Sequence, residues 1–224
     1  GAVILLGIAL QVMPFDVGDT DVVTSSVGRV AVGDALRRHR RLLLRSGLGP
    51  ALVMTVRTGR QVVVPLIGDE LGLSPTAVGA LVAVGTGADL LLFPVAGYVM
   101  DRFGRLAAMV PAFGLLGVGL LILSAANSAG VVVIAGVVMG VGNGMSSGTM
   151  LTLGSDLAPE DEPGPFLAAM AAMQDTGKVL GPLVVGWFAD AFGLGTSALV
   201  LGIVMFIGIA WIVLVIGETR TVAP

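Results

Sequence analysis

Residues 97–105 read GYVMDRFGR, and they cover the end of one long apolar run, 76–99, and the turn before the next, 106–124. The turn between the runs is short and charged, with one carboxylate and two guanidinium groups. Each run is long enough to cross a bilayer as a helix, which takes about 20 apolar residues. This stretch therefore predicts two membrane-spanning helices joined by a charged turn at one membrane surface.

The same alternation of apolar runs and short polar turns continues outward in both directions. The chain is 55% hydrophobic and only 12% charged, whereas about 25% of the residues of a soluble domain are charged. Lipid is therefore the expected solvent, and we predict an all-α membrane protein with six transmembrane helices. The predicted spans are 47–67, 76–99, 106–124, 130–152, 166–188 and 196–217.

Basic residues predict the orientation of these helices. Nine of the twelve Lys and Arg residues lie on one side of the ladder, and loops 68–75, 125–129 and 189–195 on the other side have none. Lys and Arg accumulate in cytoplasmic loops. We predict a multi-pass protein of the plasma (inner) membrane whose linker and C-terminus are cytoplasmic. The three remaining basic residues lie within spans: Arg57, Arg60 and Lys178.

The regions outside the bundle divide into three parts. Residues 1–13 are apolar but too short to span, and we interpret them as the end of a truncated transmembrane helix. Residues 14–46 are predicted to be a cytoplasmic linker with a basic amphipathic segment. That segment suits the anionic inner leaflet better than nucleic acid. The six-helix bundle then covers 47–218, with a cytoplasmic tail at 219–224.

Composition argues against a metal site and an enzyme. The chain has no cysteine and a single histidine, His39, so we expect no metal and no cofactor. Residues Gly144 to Gly148 fit the G-x-S-x-G pattern of serine hydrolases, but that motif requires a strand-to-helix turn and a histidine partner. Here it lies inside an apolar span, so no hydrolase activity is expected.

Polar residues within the spans are the candidate functional residues. A charge at mid-bilayer costs roughly 2.5–3.5 kcal/mol, so such residues usually face a cavity or a partner. The third and sixth spans carry no charge in their cores and are predicted to be peripheral, facing lipid. A structural salt-bridge network is the alternative to a substrate or proton pathway. The candidate pathway residues are Arg57, Arg60, Gln61, Asp89, Asn143, Gln174, Asp175 and Lys178.

The spacing of these charges separates their roles. Asp175 and Lys178 are three residues apart on one helix, so they can pair with each other or both face the cavity. Asp89 has no basic residue in its own helix, so it is preferred over Asp175 as the proton carrier. Three bases against two acids mildly favour an anionic substrate.

Small residues predict where helices approach closely. Glycines recur every four residues in the fourth span, and again in the fifth, and this spacing is typical of tight helix packing. The residues are Gly136, Gly140, Gly144, Gly148, Gly177 and Gly181.

The turn at 97–105 resembles the loop signature of the Major Facilitator Superfamily, G-x-x-x-D-R-x-G-R. The matching residues are Gly97, Asp101, Arg102, Gly104 and Arg105. The resemblance implies that Gly97 permits close packing, that Gly104 turns the chain, and that Asp101 and Arg105 form a charged latch.

A second pattern resembles the antiporter signature of drug/proton exchangers. Its residues are Gly177, Gly181, Pro182 and Gly186. The two resemblances together imply one six-helix half of a twelve-helix transporter. The second half is preferred, because an apolar run and a linker precede the first span. The first half is the alternative, because both signatures are usually stronger there.

The resemblance implies a secondary active transporter that performs proton-coupled efflux of small amphipathic or anionic compounds, as in drug resistance. The expected partners are the lipid bilayer, the substrate, protons and the missing six-helix half, with no nucleic acid. An importer of organic acids or sugars is one alternative. A non-transporting scaffold or assembly subunit is another.

Overall fold

The computed structural model describes residues 38–146, 148–161 and 163–219, so the predicted segments before residue 38 and the tail after Thr219 lie outside it. All regular elements in these residues are helical. They are α1 Arg40–Glu70, α2 Pro75–Phe103, α3 Arg105–Ser124, α4 Ala129–Met145, α5 Thr149–Leu157, α6 Pro163–Phe192 and α7 Leu194–Trp211, the last continuing as a π-helical turn, Ile212–Ile216.

Local sequence accounts for the ends of α2. The Ser74 hydroxyl accepts a hydrogen bond from Ala77 N at 3.3 Å, and Pro75 is the first helical residue; both are favoured at a helix start. At the other end Gly104 has a φ of +102°, which a residue without a side chain adopts at little cost. Gly104 therefore joins α2 to α3 directly, as predicted for the signature turn.

Among the described residues, four helical segments are long and apolar enough to cross a membrane: 75–92, 105–124, 129–157 and 194–216. These correspond to the second, third, fourth and sixth predicted spans. The other two predicted spans fall in α1 and α6, which have 31 and 30 residues and carry most of the polar groups.

The first helix begins earlier than predicted. The boundary between linker and span was placed at residue 47, but α1 starts at Arg40. Leu43 is buried against Phe166, Ala169 and Met170 of α6. This contact with α6 stabilises the helical conformation of the last residues of the basic segment.

The apolar core lies between α1, α3, α4 and α7. α1 packs on α6 and α7, α7 packs on α3, and α4 packs on both α3 and α2. The fully buried residues at the centre include Val53, Val56, Phe113, Leu116, Leu120, Met139, Leu201 and Met205.

That the third and sixth helices are peripheral and face lipid stays a prediction, and both keep an exposed apolar face that includes Val118 of α3 and Ile207 of α7. Half of the 105–124 window is buried, against 11% of the 75–92 window. α3 contacts α2, α4 and α7, whereas α2 exposes apolar residues such as Leu91. Within this bundle α3 is therefore covered more than α2, and the exposed faces of α2 and α6 lie outside the core between α1, α3, α4 and α7.

Glycines allow two close helix crossings. A methyl group at Gly140 or Gly144 would overlap backbone atoms of α2, and one at Gly177 or Gly181 would overlap backbone atoms of α1. Predicted tight packing is therefore confirmed at these four positions. Gly148 differs, because it has a φ of +75° and directly precedes α5, with nothing within 4 Å of an added methyl group.

The two ends of the bundle are distinguished by their contacts. At the loop end, which contains the turn at Gly104, Glu218 accepts hydrogen bonds from Arg105 N and Leu106 N at 2.9 and 3.0 Å. Trp211 Nε1 donates to Arg45 O at 2.9 Å at the same end. The opposite, distal end brings the turn at Ser124 beside Gly195.

Candidate functional site

Asp89 of α2 is the acidic centre of the site. It is 8% exposed. Asn143 Nδ2 of α4 donates to its Oδ2 at 2.7 Å, and Arg60 Nη2 of α1 lies 3.8 Å from the same oxygen. The other carboxylate oxygen, Oδ1, is buried and has no hydrogen-bond partner among the described residues. The close crossing of α2 and α4 at Gly144 brings this carboxylate to Asn143.

Arg57 occupies the other side of Asn143. Its Nη2 donates to Ser146 Oγ and, at 3.5 Å, to the main-chain carbonyl of Asn143. Ser146 Oγ in turn donates to that carbonyl at 2.7 Å. Arg57 Nε is buried without a hydrogen-bond partner among the described residues. We refer to the five residues Arg57, Arg60, Asp89, Asn143 and Ser146 as the polar network.

A break in the fourth span positions Ser146. The span was predicted to run unbroken over 130–152, but α4 ends at Met145 and α5 begins at Thr149. The left-handed residue Gly148 separates them, and Thr149 Oγ1 bonds Ser146 O at 2.7 Å. Irregular backbone at membrane depth is tolerated where it is buried in protein or lines a cavity. Both Ser146 and Gly148 line a cavity.

Two cavities lie on either side of the polar network. The distal cavity, of about 370 Å³, lies between α1, α2 and α4 and is lined by Arg60, Gln61, Asp89 and Asn143 among others. The loop-side cavity, of about 310 Å³, lies between α1, α5 and α6 and is lined by Arg57, Ser146 and Gln174 among others. The polar network thus lies between the distal cavity and the loop-side cavity.

The structure brings six of the eight predicted pathway residues to these cavities. Arg57, Arg60, Asp89 and Asn143 join the network, while Gln61 and Gln174 line one cavity each. The remaining two, Asp175 and Lys178, pair with each other at 2.7 Å on an exposed part of α6. Of the two arrangements that the spacing left open, the structure shows the pair.

Sequence reasoning missed Ser146. Its only signal was the G-x-S-x-G pattern, which was considered only as a hydrolase motif. The hydroxyl is bound to Arg57 and to the Asn143 carbonyl. His39 lies elsewhere, with its ring against Phe166 at a centroid distance of 6.3 Å. The small residues of the motif instead permit the helix break.

The signature turn carries a second charged cluster at the loop end. Arg105 Nη1 lies 3.7 Å from Asp101 Oδ1, which confirms that these residues are within reach of each other. Its shorter ion pair, however, joins Arg105 Nε to Asp156 Oδ2 at 3.0 Å. Asp156 also accepts from Thr219 at 3.0 Å. The latch therefore involves the end of α5 and the segment after α7, which the signature alone did not reveal.

One signature residue, Gly97, behaves differently from expectation. A methyl group at Gly97 would meet nothing within 4 Å, and the same holds at Gly186. The close packing implied for Gly97 is thus absent from the described residues. The Arg102 guanidinium lies 5.9 Å from the centroid of the Phe103 ring. In the antiporter-like motif, Gly177 and Gly181 make the close contact with α1. Pro182 follows Gly181 inside α6.

No group of three or more His, Cys, Asp or Glu residues suited to hold a metal ion occurs in the part of the chain that the structure describes.

Taken with the apolar helices, the buried polar network defines a multi-pass helical membrane protein with an ionic centre inside the bundle. The sequence profile of the Major Facilitator Superfamily, a family of membrane transporters, matches residues 25–224. The chain belongs to this family.

Individual relatives are similar to the chain over part of its length. It is 28% identical over 152 residues to a triacylglyceride transporter of Mycobacteroides abscessus, covering 65% of this chain and 29% of the relative. It is 24% identical over 152 residues to the quinolone resistance protein NorA of Staphylococcus aureus, covering 64% and 39%. The matches span less than two fifths of the length of these curated relatives.

Proposed function

We propose that the chain takes part in proton-coupled efflux of small amphipathic or anionic compounds by alternating access. The observation that carries this proposal is Asp89, a buried carboxylate that lines the distal cavity between Arg60 and Asn143. Ionisable residues inside membrane bundles characteristically serve ion and substrate routes. The relative NorA, a quinolone resistance protein, favours efflux over uptake.

Protonation of Asp89 is the proposed coupling step. The network holds two guanidinium groups and one carboxylate, so its net charge is +1 when Asp89 is ionised and +2 when it is protonated. The protonated carboxyl no longer attracts Arg60 as an anion. We propose that the resulting rearrangement of α1 against α2 and α4 accompanies opening of the bundle.

The exposed apolar faces of α2 and α6 suit a second six-helix bundle and lipid. Leu90 and Leu91 of α2 and Val179 and Leu183 of α6 are all largely exposed. Patches of this kind mark interaction surfaces, and transporters of this type rock one bundle against another around a central site. We propose that the loop end faces the cytosol. We also propose that the chain is not an enzyme.

Asp89→Asn tests the coupling in proteoliposomes that carry a pH gradient, with a fluorescent quinolone as the transported compound. The wild type should move the compound against its concentration gradient when protons flow the other way. Asp89→Asn should abolish this accumulation and spare downhill exchange. Asp69→Asn, at an exposed distal position, is the matched control and should behave as wild type. Proton-driven accumulation by Asp89→Asn would overturn the proposal, and movement of compound and protons in the same direction would indicate an importer.

A further inference from the structure

We propose that the loop-side cavity is a binding site for the carboxylate of a small amphipathic monoanion, with Arg57 as the ligand of the head group. The inference rests on the proposed function only in placing this site on a transport route. In this proposal, Asp89 exchanges protons in the distal cavity, and Arg57 binds the anion in the loop-side cavity.

The charge of the polar network supports an anion. Arg60 is 3.8 Å from Asp89, whereas the hydrogen bonds of Arg57 go to neutral oxygens of Ser146 and Asn143. Arg57 Nε is buried with no partner among the described residues. Asp89 attracts Arg57 only from beyond ion-pair distance, and a buried cation without an adjacent counter-ion is unfavourable. One monovalent anion beside Arg57 would bring the network from +1 to zero.

The lining of the cavity supports a carboxylate with an apolar tail. The planar guanidinium fork matches a carboxylate, to which it donates two parallel hydrogen bonds. The rest of the lining is mostly apolar and includes Met150, Leu167 and Met170, and Gln174 adds one side-chain amide. Flexible thioethers adapt to tails of different shape. About 310 Å³ of space suits a small molecule of this kind.

The distal cavity is the poorer anion site. Its guanidinium, Arg60, already faces Asp89, so an anion there would lie beside a second negative charge. Arg57 is separated from that carboxylate by Asn143 and Ser146. An anion on the loop side would compete with the Ser146 hydroxyl and the Asn143 carbonyl for Arg57 Nη2. Asn143 lies between the two cavities, with its main-chain carbonyl bound by Arg57 and its side-chain amide bound to Asp89.

Calorimetric titration of the purified protein in phosphatidylcholine nanodiscs tests the site, with 4-butylbenzoate as the probe and 4-butylbenzamide as its uncharged counterpart. Heats from empty nanodiscs are subtracted. Wild type should bind the benzoate at least tenfold more tightly than the benzamide. Arg57→Gln should remove this preference, because hydrogen bonds to a charged group contribute about that factor or more. Arg41→Gln removes one charge from an exposed position of the same helix and should change nothing.

A cavity-blocking pair keeps the test decisive if Arg57→Gln does not fold. Ala171 is exposed and lines the cavity, whereas its exposed neighbour Ala172 is not among the lining residues. Ala171→Phe should weaken benzoate binding at least tenfold, and Ala172→Phe should leave it unchanged. Equal binding of benzoate and benzamide by wild type, or undiminished binding in Arg57→Gln or Ala171→Phe, would overturn the anion site. The titration needs no proton gradient, so it can detect anion binding even if the protein shows no proton-driven transport. Proton-driven transport can likewise be observed if the anion does not bind, so the two proposals are tested separately.

Discussion

Asn143 links the two arginines of the polar network. Its side-chain amide holds Asp89 at 2.7 Å, while its main-chain carbonyl accepts from Ser146 at 2.7 Å and from Arg57 at 3.5 Å. An asparagine can do both because its side-chain amide is independent of its backbone carbonyl. Substitution of the side chain therefore isolates the contact to Asp89 without removing the acceptor for Arg57.

Asn143→Leu should lower the free energy of unfolding by about 1–3 kcal/mol, because it leaves a buried carboxylate without its shortest hydrogen bond. Unfolding by SDS titration in mixed micelles measures this change. Thr86→Val is the matched control, since Thr86 lines the same cavity but bonds Val82 O within its own helix. We expect this control to stay within about 0.5 kcal/mol of wild type. Equal losses in both variants would show that Asn143 does not support Asp89.

Residues of the network differ in how far the sequence could predict them. Arg57, Arg60, Asp89 and Asn143 were predicted because a charge or amide in an apolar span is costly and so stands out. Ser146 was not, because a serine can satisfy its hydroxyl on its own helix anywhere along a span. Its role depends on a break in the helix that composition does not reveal.

At the scale of single helices, the sequence predicted where spans lie better than how they are interrupted. Residues 130–152 contain no charged residue, so periodicity favours one continuous helix, but α4 ends at Met145 and α5 begins at Thr149 after the left-handed Gly148. Glycine spacing did predict close approach on α6. It could not distinguish Gly181, which contacts α1, from Gly186, which is open, because that difference depends on where α1 crosses.

Gly181→Ala should lower the free energy of unfolding by about 1–3 kcal/mol, whereas Gly186→Ala should leave it unchanged or raise it slightly. A methyl group at Gly181 would overlap the backbone of Thr55 and Gly59, and such overpacking is destabilising. At Gly186 nothing lies within 4 Å, so the higher helix propensity of alanine prevails. The same SDS titration compares the two variants. Similar values for both would contradict the close crossing of α1 and α6.

The cluster at the loop end yields a comparison of two carboxylates that share Arg105. The Asp156 side chain is 21% exposed and lies 3.0 Å from Arg105, while that of Asp101 is 84% exposed and lies 3.7 Å away. Asp156→Asn should therefore cost roughly 1–2 kcal/mol of unfolding free energy. Asp101→Asn should cost less than about 0.5 kcal/mol, as exposed pairs do. A larger loss for Asp101→Asn would show that the signature pair, and not the link to α5, holds this end together.

At the scale of the whole molecule, the uncharged third and sixth spans were predicted to face lipid, and this stays a prediction. Within the described bundle α3 is packed between α4 and α7, while α7 keeps exposed apolar residues such as Ile203 and Ile207. The polar residues in a helix sequence indicate that the helix carries functional groups. They do not indicate which face of the helix another helix covers, and α2 and α6 leave much of their apolar surface exposed.

Orientation in the membrane is predicted from the basic residues, and single cysteines can check it because the chain has none of its own. Asp69→Cys and Asn127→Cys place a thiol at exposed distal positions, and Glu160→Cys places one at an exposed position between α5 and α6. Lys and Arg are retained on the cytoplasmic side. The two distal thiols should therefore react with a membrane-impermeant maleimide in intact cells, and the thiol at residue 160 only after permeabilisation. The reverse pattern would put the loop end, with Arg105 and the loop-side cavity, outside the cell. The anion proposed to bind at Arg57 would then enter from the external face, so this experiment decides the side from which the cavity is loaded.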